Sequence, residues 1–271
     1  MKKIQASVLL INYNKSKFVS RCLNHLTKQD FKEFEVIFSD DRSEDNSVLV
    51  AKKYMKKLDL KIIENDKKKS KYGSYNQIES ILRAFKKSSG EIILLLDSDD
   101  FFYKKKISNI INFFNNNKEK EIIFDLPFIY YDRQNIKNFK IKKRIFKNNI
   151  WPHFPPQSCI SMRRDFFKKI FFKISFKKFN NIWFDFRVAF YSYFISKNFE
   201  IYNKRLTYYF IDPRGVSSEF KFLTFNWWKR RLEAFNFSDH FLKKYSLKLP
   251  LTIDYIITKL IFRLFLFFKK I

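Results

Sequence analysis

A chain of 271 residues can bury a large core in one domain or one and a half. Its formal net charge of +28 would ordinarily point to nucleic acid or an anionic membrane. The lysines, however, are scattered in pairs and triplets, and no nucleic-acid recognition motif accompanies them. Lys, Asn, Ile, Phe and Tyr are over-used together and share AT-rich codons, which weakens the argument from charge further. Cys22 and Cys159 lie far apart and form no metal or redox spacing, which fits a reducing compartment. The apolar run 8–11 behind Met1 is too short for a signal peptide and is expected to be the first strand.

The first hundred residues alternate strand and helix at spacings suited to right-handed βαβ crossovers. A strand over 7–11 is followed by a helix with Phe18, Val19, Cys22, Leu23 and Leu26 on one face, Ser16 serving as its N-cap. A second strand, 35–38, runs into Ser39, Asp40 and Asp41. The next helix is expected to bury Val48, Ala51, Met55 and Leu58, before a third strand over 61–63. After the polar loop 65–72, residues 74–77 have capping-box form and open a helix buried through Ile78, Ile81, Leu82 and Phe85, which Gly90 closes.

Residues 92–96 are five consecutive apolar residues, the pattern of a strand covered on both faces. Asp97, Asp99 and Asp100 follow at once. In an extended segment side chains alternate, so Asp97 and Asp99 are expected to point the same way and to converge on one hard cation, Mg²⁺ or Mn²⁺. An isolated DxD is also a common solvated turn. Position decides between the two: every polar cluster, at Asn12 to Asn14, Asp40 and Asp41, Glu64 and Asn65, and Asp97 to Asp100, falls at the carboxyl edge of the sheet, where open α/β folds bind ligands.

Beyond residue 101 the periodicity weakens. A helix is expected over 107–114, one or two strands over 122–131 broken at Pro127, a basic irregular stretch over 137–149, and a short strand over 157–162 after Pro152, Pro155 and Pro156. A helix from Trp183 onward carries Phe184, Val188, Tyr191 and Ile195 on one face. A strand over 206–211 leads to a turn at 212–215, where Arg214 either pairs with phosphate or braces the turn. His25, His153 and His240 show no ligand spacing.

With these motifs in place, SVLLINYNKSKFV, EVIFSDDRSEDNS, the loop from Gly73 to Asn76, GEIILLLDSDD and the WFD at 183–185, the chain resembles the inverting family 2 glycosyltransferases. The resemblance implies an α/β fold of the GT-A, Rossmann-like kind: a mostly parallel sheet with helices on both faces, an acceptor-side subdomain and C-terminal helices. It implies a GT-A domain over 1–225, divided into a nucleotide-sugar half at 1–103 and an acceptor half at 104–225, with a helical extension at 226–271. It places Asn12, Tyr13, Asn14, Asp40, Asp41, Gly73, Asn76, Asp97 and Ser98 at the nucleotide sugar, Asp97 and Asp99 at Mn²⁺ or Mg²⁺, and Asp185 as the base. The implied partners are a nucleoside diphosphate sugar, with UDP favoured, and a saccharide or lipid-linked acceptor in cell-surface polysaccharide synthesis, with no nucleic acid. Three departures stand out: Arg42 where the family usually has Gly, Phe184 where the base motif is often Glu, and Asp212 in the stretch nearest to a histidine that some members place by the metal.

The chemistry of such a transfer needs a Lewis acid on the departing diphosphate and one ionised carboxylate for the acceptor hydroxyl. Asp185, at a helix start, is expected to be kept ionised by the helix dipole, or else to be an ordinary helix-start residue, with Asp165 and Asp212 as the other acceptor-half carboxylates. The segment 251–271 carries Lys259, Arg263 and Lys270 on one face of an otherwise Phe- and Leu-rich helix. That pattern fits a helix lying in an anionic membrane surface, which would make the enzyme cytoplasmic and peripheral on the inner face, and equally a core helix. A nucleotidyltransferase would share the acidic crevice, although NYNKSK lacks the glycines of its phosphate loop, and a basic nucleic-acid-binding protein is the non-enzymatic alternative.

Overall fold

The computed structural model describes residues 4–67, 70–131, 136–140, 152–175, 178–212 and 219–268. Arg214, Lys270 and most of the basic stretch 137–149 lie outside them. The elements in chain order are β1 (Ala6–Asn12), α1 (Ser16–Thr27), β2 (Phe34–Asp40), α2 (Ser47–Lys52), β3 (Leu60–Glu64), α3 (Gly73–Lys87), β4 (Ile92–Asp97), β5 (Phe101–Phe102) and α4 (Lys106–Asn116). There follow β6 (Ile122–Tyr130), β7 (Ile136–Asn138), β8 (Ile160–Arg163), α5 (Arg164–Ile174), α6 (Phe184–Phe194), β9 (Ile201–Phe210), α7 (Phe225–Lys243) and α8 (Ile253–Phe268).

Among the described residues the strands form one sheet in the order β3-β2-β1-β4-β8-β6-β9-β5, with β7 paired to β6. The first four strands are mutually parallel, β6 and β9 share their direction, and β8, β7 and β5 run the other way. Strand alternation divides the core in two. Val8, Leu10, Leu94 and Leu96 face α1, α2 and α4, while Leu9, Ile11, Ile93 and Leu95 face α3 and the helices α5, α6 and α7. Both faces of β1 and β4 are therefore covered, as their unbroken apolar runs require. Gly90 is needed for close approach: a Cβ there would lie 2.4 Å from the Ala6 carbonyl carbon.

Several local expectations are corrected. Ser16 is the first residue of α1 and does not cap it; Asp45 accepts the Ser16 N–H at 2.9 Å and the Ser47 N–H at 2.9 Å, so one carboxylate holds the starts of α1 and α2. Helix α2 stops at Lys52, which leaves Met55 52% exposed. The capping box at 74–77 does not form; α3 begins at Gly73, and the Ser74 hydroxyl donates to the Asn180 carbonyl instead. That helix ends at Lys87, before Gly90. Pro127 does not break its strand, because the ladder to β9 slips register between Asp125 and Pro127 and absorbs the missing N–H as a bulge.

Helix α8 packs only one side on α7, through Phe225 stacked on Phe262 at 5.5 Å and an ion pair between Arg231 and Asp254. The opposite side exposes Ile253, Ile257, Leu260, Leu264 and Phe267, spaced as one stripe. It is thus only half a core helix. Among the described residues no helix is long and apolar enough to cross a membrane.

Candidate active site

The carboxyl ends of β1, β2 and β4 lie side by side, because the parallel register aligns Asn12 with Asp40 and Ile11 with Asp97. Asn12 is buried and donates from Nδ2 to Asp40 Oδ1 at 2.7 Å and to Ser43 Oγ at 3.1 Å. Asp40 also accepts the Ser43 N–H at 2.7 Å, so this carboxylate shapes the turn after β2 from within. Asp41 faces elsewhere and takes Asn65 Nδ2 at 2.9 Å and Arg83 at 3.0 Å. Arg42 sits at φ 60°, the left-handed conformation that the usual Gly reaches more cheaply, so the turn keeps the backbone that Gly favours. Tyr13 is 44% exposed at the lip of the crevice, next to exposed Asn14, whose N–H donates to Ser43 Oγ at 2.8 Å. Gly73 is exposed at the first turn of α3, while Asn76 folds back on Ser70, accepting its N–H at 2.9 Å and donating to its carbonyl at 2.8 Å.

Strand β4 ends at Asp97, and the alternation that would align Asp97 with Asp99 ends with it: the Asp100 N–H turns back onto the Asp97 carbonyl at 3.0 Å. Asp97 accepts from Gln157 Nε2 at 2.7 Å, and its N–H donates to Ser158 Oγ at 3.0 Å. Burial, then the charges of Asp99 and Asp185, lift its carboxyl to about 7. Ser98 is buried, its N–H pinned to the Ile11 carbonyl at 3.0 Å. Asp99 meets Lys15 Nζ at 2.8 Å, and the same ammonium meets Asp212 at 2.7 Å. Burial works against the Lys15 charge, but the two carboxylates outweigh it and raise its pKa. Asp100 is a structural latch, accepting from Ser158 Oγ at 2.5 Å and from the Phe210 N–H at 2.8 Å. Burial pushes it well above the usual carboxylate range.

Beneath this edge lies a wholly buried group. Lys106 Nζ donates to Asp125 Oδ1 at 2.7 Å, to the Ser158 carbonyl at 2.7 Å and to Thr207 Oγ1 at 2.6 Å. It fixes Ser158, and through Ser158 both Asp97 and Asp100.

Asp185 stands in the first turn of α6, where its Oδ1 accepts the Phe186 N–H at 2.6 Å. The expectation that the dipole holds its pKa down is corrected. Burial outweighs that hydrogen bond and the nearby Arg230, and the carboxyl rises to about 6. A group so placed is still mostly ionised at neutral pH and is closer to the ideal for a general base. Asp185 lies within electrostatic reach of Asp97, and Tyr209 near Asp100, Asp185, Asp97 and Asp99. Burial first, then those four carboxylates, holds the Tyr209 phenol far up and protonated. By contrast Asp165, 94% exposed, pairs only with Lys168 among the described residues. His25 donates to the Phe102 carbonyl at 3.2 Å and lies against Phe101, a structural place.

Tyr209, Gln157, Ser158, Lys15 and Arg83 were not legible as site residues. Lys15 stands in the strand-one motif but carries no acidic or glycine signal there, Gln157 and Ser158 come together from the turn before β8, and Arg83 and Tyr209 come from α3 and β9, outside any motif. As for a divalent ion, no three His, Cys, Asp or Glu side chains among the described residues are placed to hold one by themselves. Asp99 and Asp212 nevertheless already converge on one cation, the Lys15 ammonium. Two carboxylates completed by substrate phosphates are an ordinary donor set for Mg²⁺ or Mn²⁺, so the residues fit the ion.

A further cavity of about 350 Å³ opens between α6 and α7, lined by Trp183, Phe186, Phe220, Trp227, Arg230 and Arg231. The Arg230 guanidinium lies 3.5 Å over the Trp183 ring.

Comparison with known proteins bears on the family and the fold. The family profile described as Glycosyl transferase family 2 matches residues 7–171. A poly(ribitol-phosphate) beta-N-acetylglucosaminyltransferase, TarS of Staphylococcus aureus strain Mu50, is 45% identical over 58 residues. That match spans 21% of this chain and 10% of the relative's length. In structure, S. aureus TarS 1-349 in complex with UDP-GlcNAc superposes with a TM-score of 0.62 at 18% identity, over 94% of this chain and 79% of that one. The mannosyltransferase PcManGT from Pyrobaculum calidifontis, in complex with GDP-Man and Mn²⁺, gives 0.58 at 13% identity, over 86% and 64%. At these identities the superpositions speak for a shared GT-A fold.

Proposed function

The chain belongs to glycosyltransferase family 2, and from that membership we propose that it moves a sugar, with inversion, from a nucleoside diphosphate sugar to a saccharide or lipid-linked saccharide acceptor. The observation that carries this reading is the gathering of Asp97, Asp99, Asp212, Asp185 and Tyr209 at one sheet edge. Family membership favours sugar transfer over nucleotidyl transfer. UDP is the favoured nucleotide, in line with the TarS complexes with UDP and UDP-GlcNAc. Cell-surface polysaccharide synthesis is the matching process.

Exposed Tyr13 offers a ring to the base, and Asp41, steadied by Asn65 and Arg83, an acceptor for its N–H groups. Asn12, Asp40, Asn14, Asn76 and Gly73 shape the loops around the nucleotide, and Ser98 fixes the backbone behind the diphosphate. Asp99 and Asp212, with Asp97 behind them, would hold Mn²⁺ or Mg²⁺. That ion would supply Lewis-acid stabilisation of the departing diphosphate. Asp185 takes the proton of the acceptor hydroxyl as its oxygen bonds to the anomeric carbon and the carbon–phosphate-oxygen bond breaks. Residues 1–103 supply the donor half of this arrangement and 104–225 the acceptor half, with 226–271 as an extension. The outward stripe of α8, flanked by Lys259 and Arg263, lies on an anionic cytoplasmic membrane surface. Leu260→Ser with Leu264→Ser should then release the protein from phosphatidylglycerol vesicles, and unchanged binding would refute that part.

The central test is a thermal-shift screen of UDP, GDP and dTDP with and without Mn²⁺. Ligand at about 100 times its Kd should add about 2.7 kcal/mol of stability. If no nucleoside diphosphate moves the melting temperature with any divalent ion, the donor site is misassigned. Asp185→Asn should leave that shift intact and lower transfer about 10² to 10⁴-fold.

A further inference from the structure

The cavity between α6 and α7 has a chemistry that the donor site does not explain. Its walls are the rings of Trp183, Phe186, Phe220 and Trp227, and its polar groups are the guanidiniums of Arg230 and Arg231. Arg231 is neutralised by Asp254 of α8. Arg230 is in a different state. It lies over Trp183 at 3.5 Å and Phe220 at 4.8 Å, and it makes no hydrogen bond or ion pair among the described residues. Glu233, the carboxylate one turn further along α7, is already taken by the Asn181 N–H at 3.0 Å and by its side chain. A stacked guanidinium keeps its N–H edge free in the ring plane, and that edge matches the oxygens of a phosphoryl group two at a time. Flat aromatic walls suit the C–H face of a sugar ring. At about 350 Å³ the cavity falls within the size range of small-molecule sites.

Its position ties it to transfer. Trp183 and Phe186, on either side of Asp185 in the chain, both line the cavity, and Arg230 is close enough to act on the Asp185 charge. We infer that this cavity is the acceptor subsite, and that the acceptor is a saccharide bearing a phosphoryl group, its ring between the aromatic walls and its phosphoryl oxygens on Arg230. The inference rests on the reading of Asp185 as the transfer base, but only for what the bound molecule does next.

Binding can therefore be tested without a donor. N-acetylglucosamine 1-phosphate, N-acetylglucosamine and inorganic phosphate are titrated against the full chain while tryptophan fluorescence is followed, since Trp183 and Trp227 line the cavity. The sugar phosphate should bind at least tenfold more tightly than either of the others. Charge-assisted hydrogen bonds of this kind are worth about 10- to 100-fold, so Arg230→Gln should remove that preference. Arg230→Lys, which keeps the charge and loses the fork, should retain an intermediate part of it, and it carries the test if Arg230→Gln does not fold. UDP binding should be unchanged in both. Equal binding of sugar and sugar phosphate, an unaltered preference in Arg230→Gln or, if that variant does not fold, in Arg230→Lys, or phosphate alone binding as well as its sugar ester would each overturn the inference. Asp185→Asn separates the two readings: sugar-phosphate binding that persists while transfer also persists leaves the subsite standing and removes the base. A prenyl diphosphate-linked N-acetylglucosamine distinguishes the source of the phosphate. Tighter binding that Leu260→Ser with Leu264→Ser abolishes assigns a lipid-linked acceptor, and equal binding a water-soluble one.

Discussion

Lys106 and Asp125 meet at 2.7 Å with neither side chain exposed, whereas Lys15 and Asp99 meet at 2.8 Å with 21% and 18% of their side chains open to solvent. The two pairs share a chemistry and a distance, yet their surroundings give them opposite uses. Under the crevice, every proton of the Lys106 ammonium has an acceptor, and the pair locks Ser158 beneath the site. At the mouth, Lys15 is divided between Asp99 and Asp212, and water reaches all three. A buried pair is costly to break because one charge stays behind without solvent. A half-open pair exchanges partners at little cost, which is what a site that admits a cation and a diphosphate needs.

The sharpest way to break the contrast is Lys106→Met. It should cost about 3–5 kcal/mol in chemical denaturation, because Asp125 is left buried and unpaired. Adding Asp125→Leu should recover most of that loss; failure to recover would mean that the network's hydrogen bonds, beyond its charges, hold the fold.

A smaller effect concerns the carboxylates at the edge. Asp97 has its pKa raised to about 7 and Asp185 to about 6, so the folded protein holds protons there that the unfolded chain has released. The stability from these two groups is fully present below about pH 4 and is lost as pH rises through 6 and 7. Asp97→Asn stays neutral throughout. It should match the wild type near pH 4 and melt on the order of 3–6 °C higher above pH 7 in the absence of nucleotide and metal. Parallel melting curves at all pH values would show that Asp97 is ionised like an ordinary surface carboxylate.

Lys15→Gln tests the mouth pair directly. Stability should change by less than about 1 kcal/mol, while Mn²⁺ binding without nucleotide, followed by calorimetry, should tighten about fivefold as a competing cation leaves Asp99 and Asp212. Weaker Mn²⁺ binding would show that Lys15 helps to build the site. Smallest of all, Arg42→Gly should raise stability by at most about 1 kcal/mol, since relief of the left-handed φ is partly offset by the entropy of glycine. A clear loss of stability would mean that the Arg42 side chain holds the turn.

The first half of the chain was legible because its information is local. Five apolar residues before Asp97 require a strand covered on both faces, and alternation along β1 and β4 sorts their side chains between two helical layers whatever the rest of the chain does. That alone places the ends of β1, β2 and β4, with Asn12, Asp41 and Asp97, at one edge. Local pattern could not say which member of each acidic cluster faces outward. Asp40 and Asp41 are neighbours, yet one is spent on Ser43 and the other on Asn65 and Arg83. Asp100 is spent on Ser158 and the Phe210 backbone. Such divisions depend on partners distant in sequence. Lys15 and Asp212, 197 positions apart, meet only because the turn after β1 and the end of β9 arrive at the same edge, and no periodicity encodes that meeting. Caps and pKa values followed the same logic: Asp45 displaced Ser16 as the cap of α1, and burial overrode the helix dipole at Asp185. The sequence by itself determined the strands, their buried faces and the edge at which chemistry gathers, because burial is written in local apolar pattern. Only the tertiary structure decided which polar groups are spent on one another and which, like Arg230 over Trp183, are left facing a cavity, because hydrogen bonds and charges are settled by distances between elements.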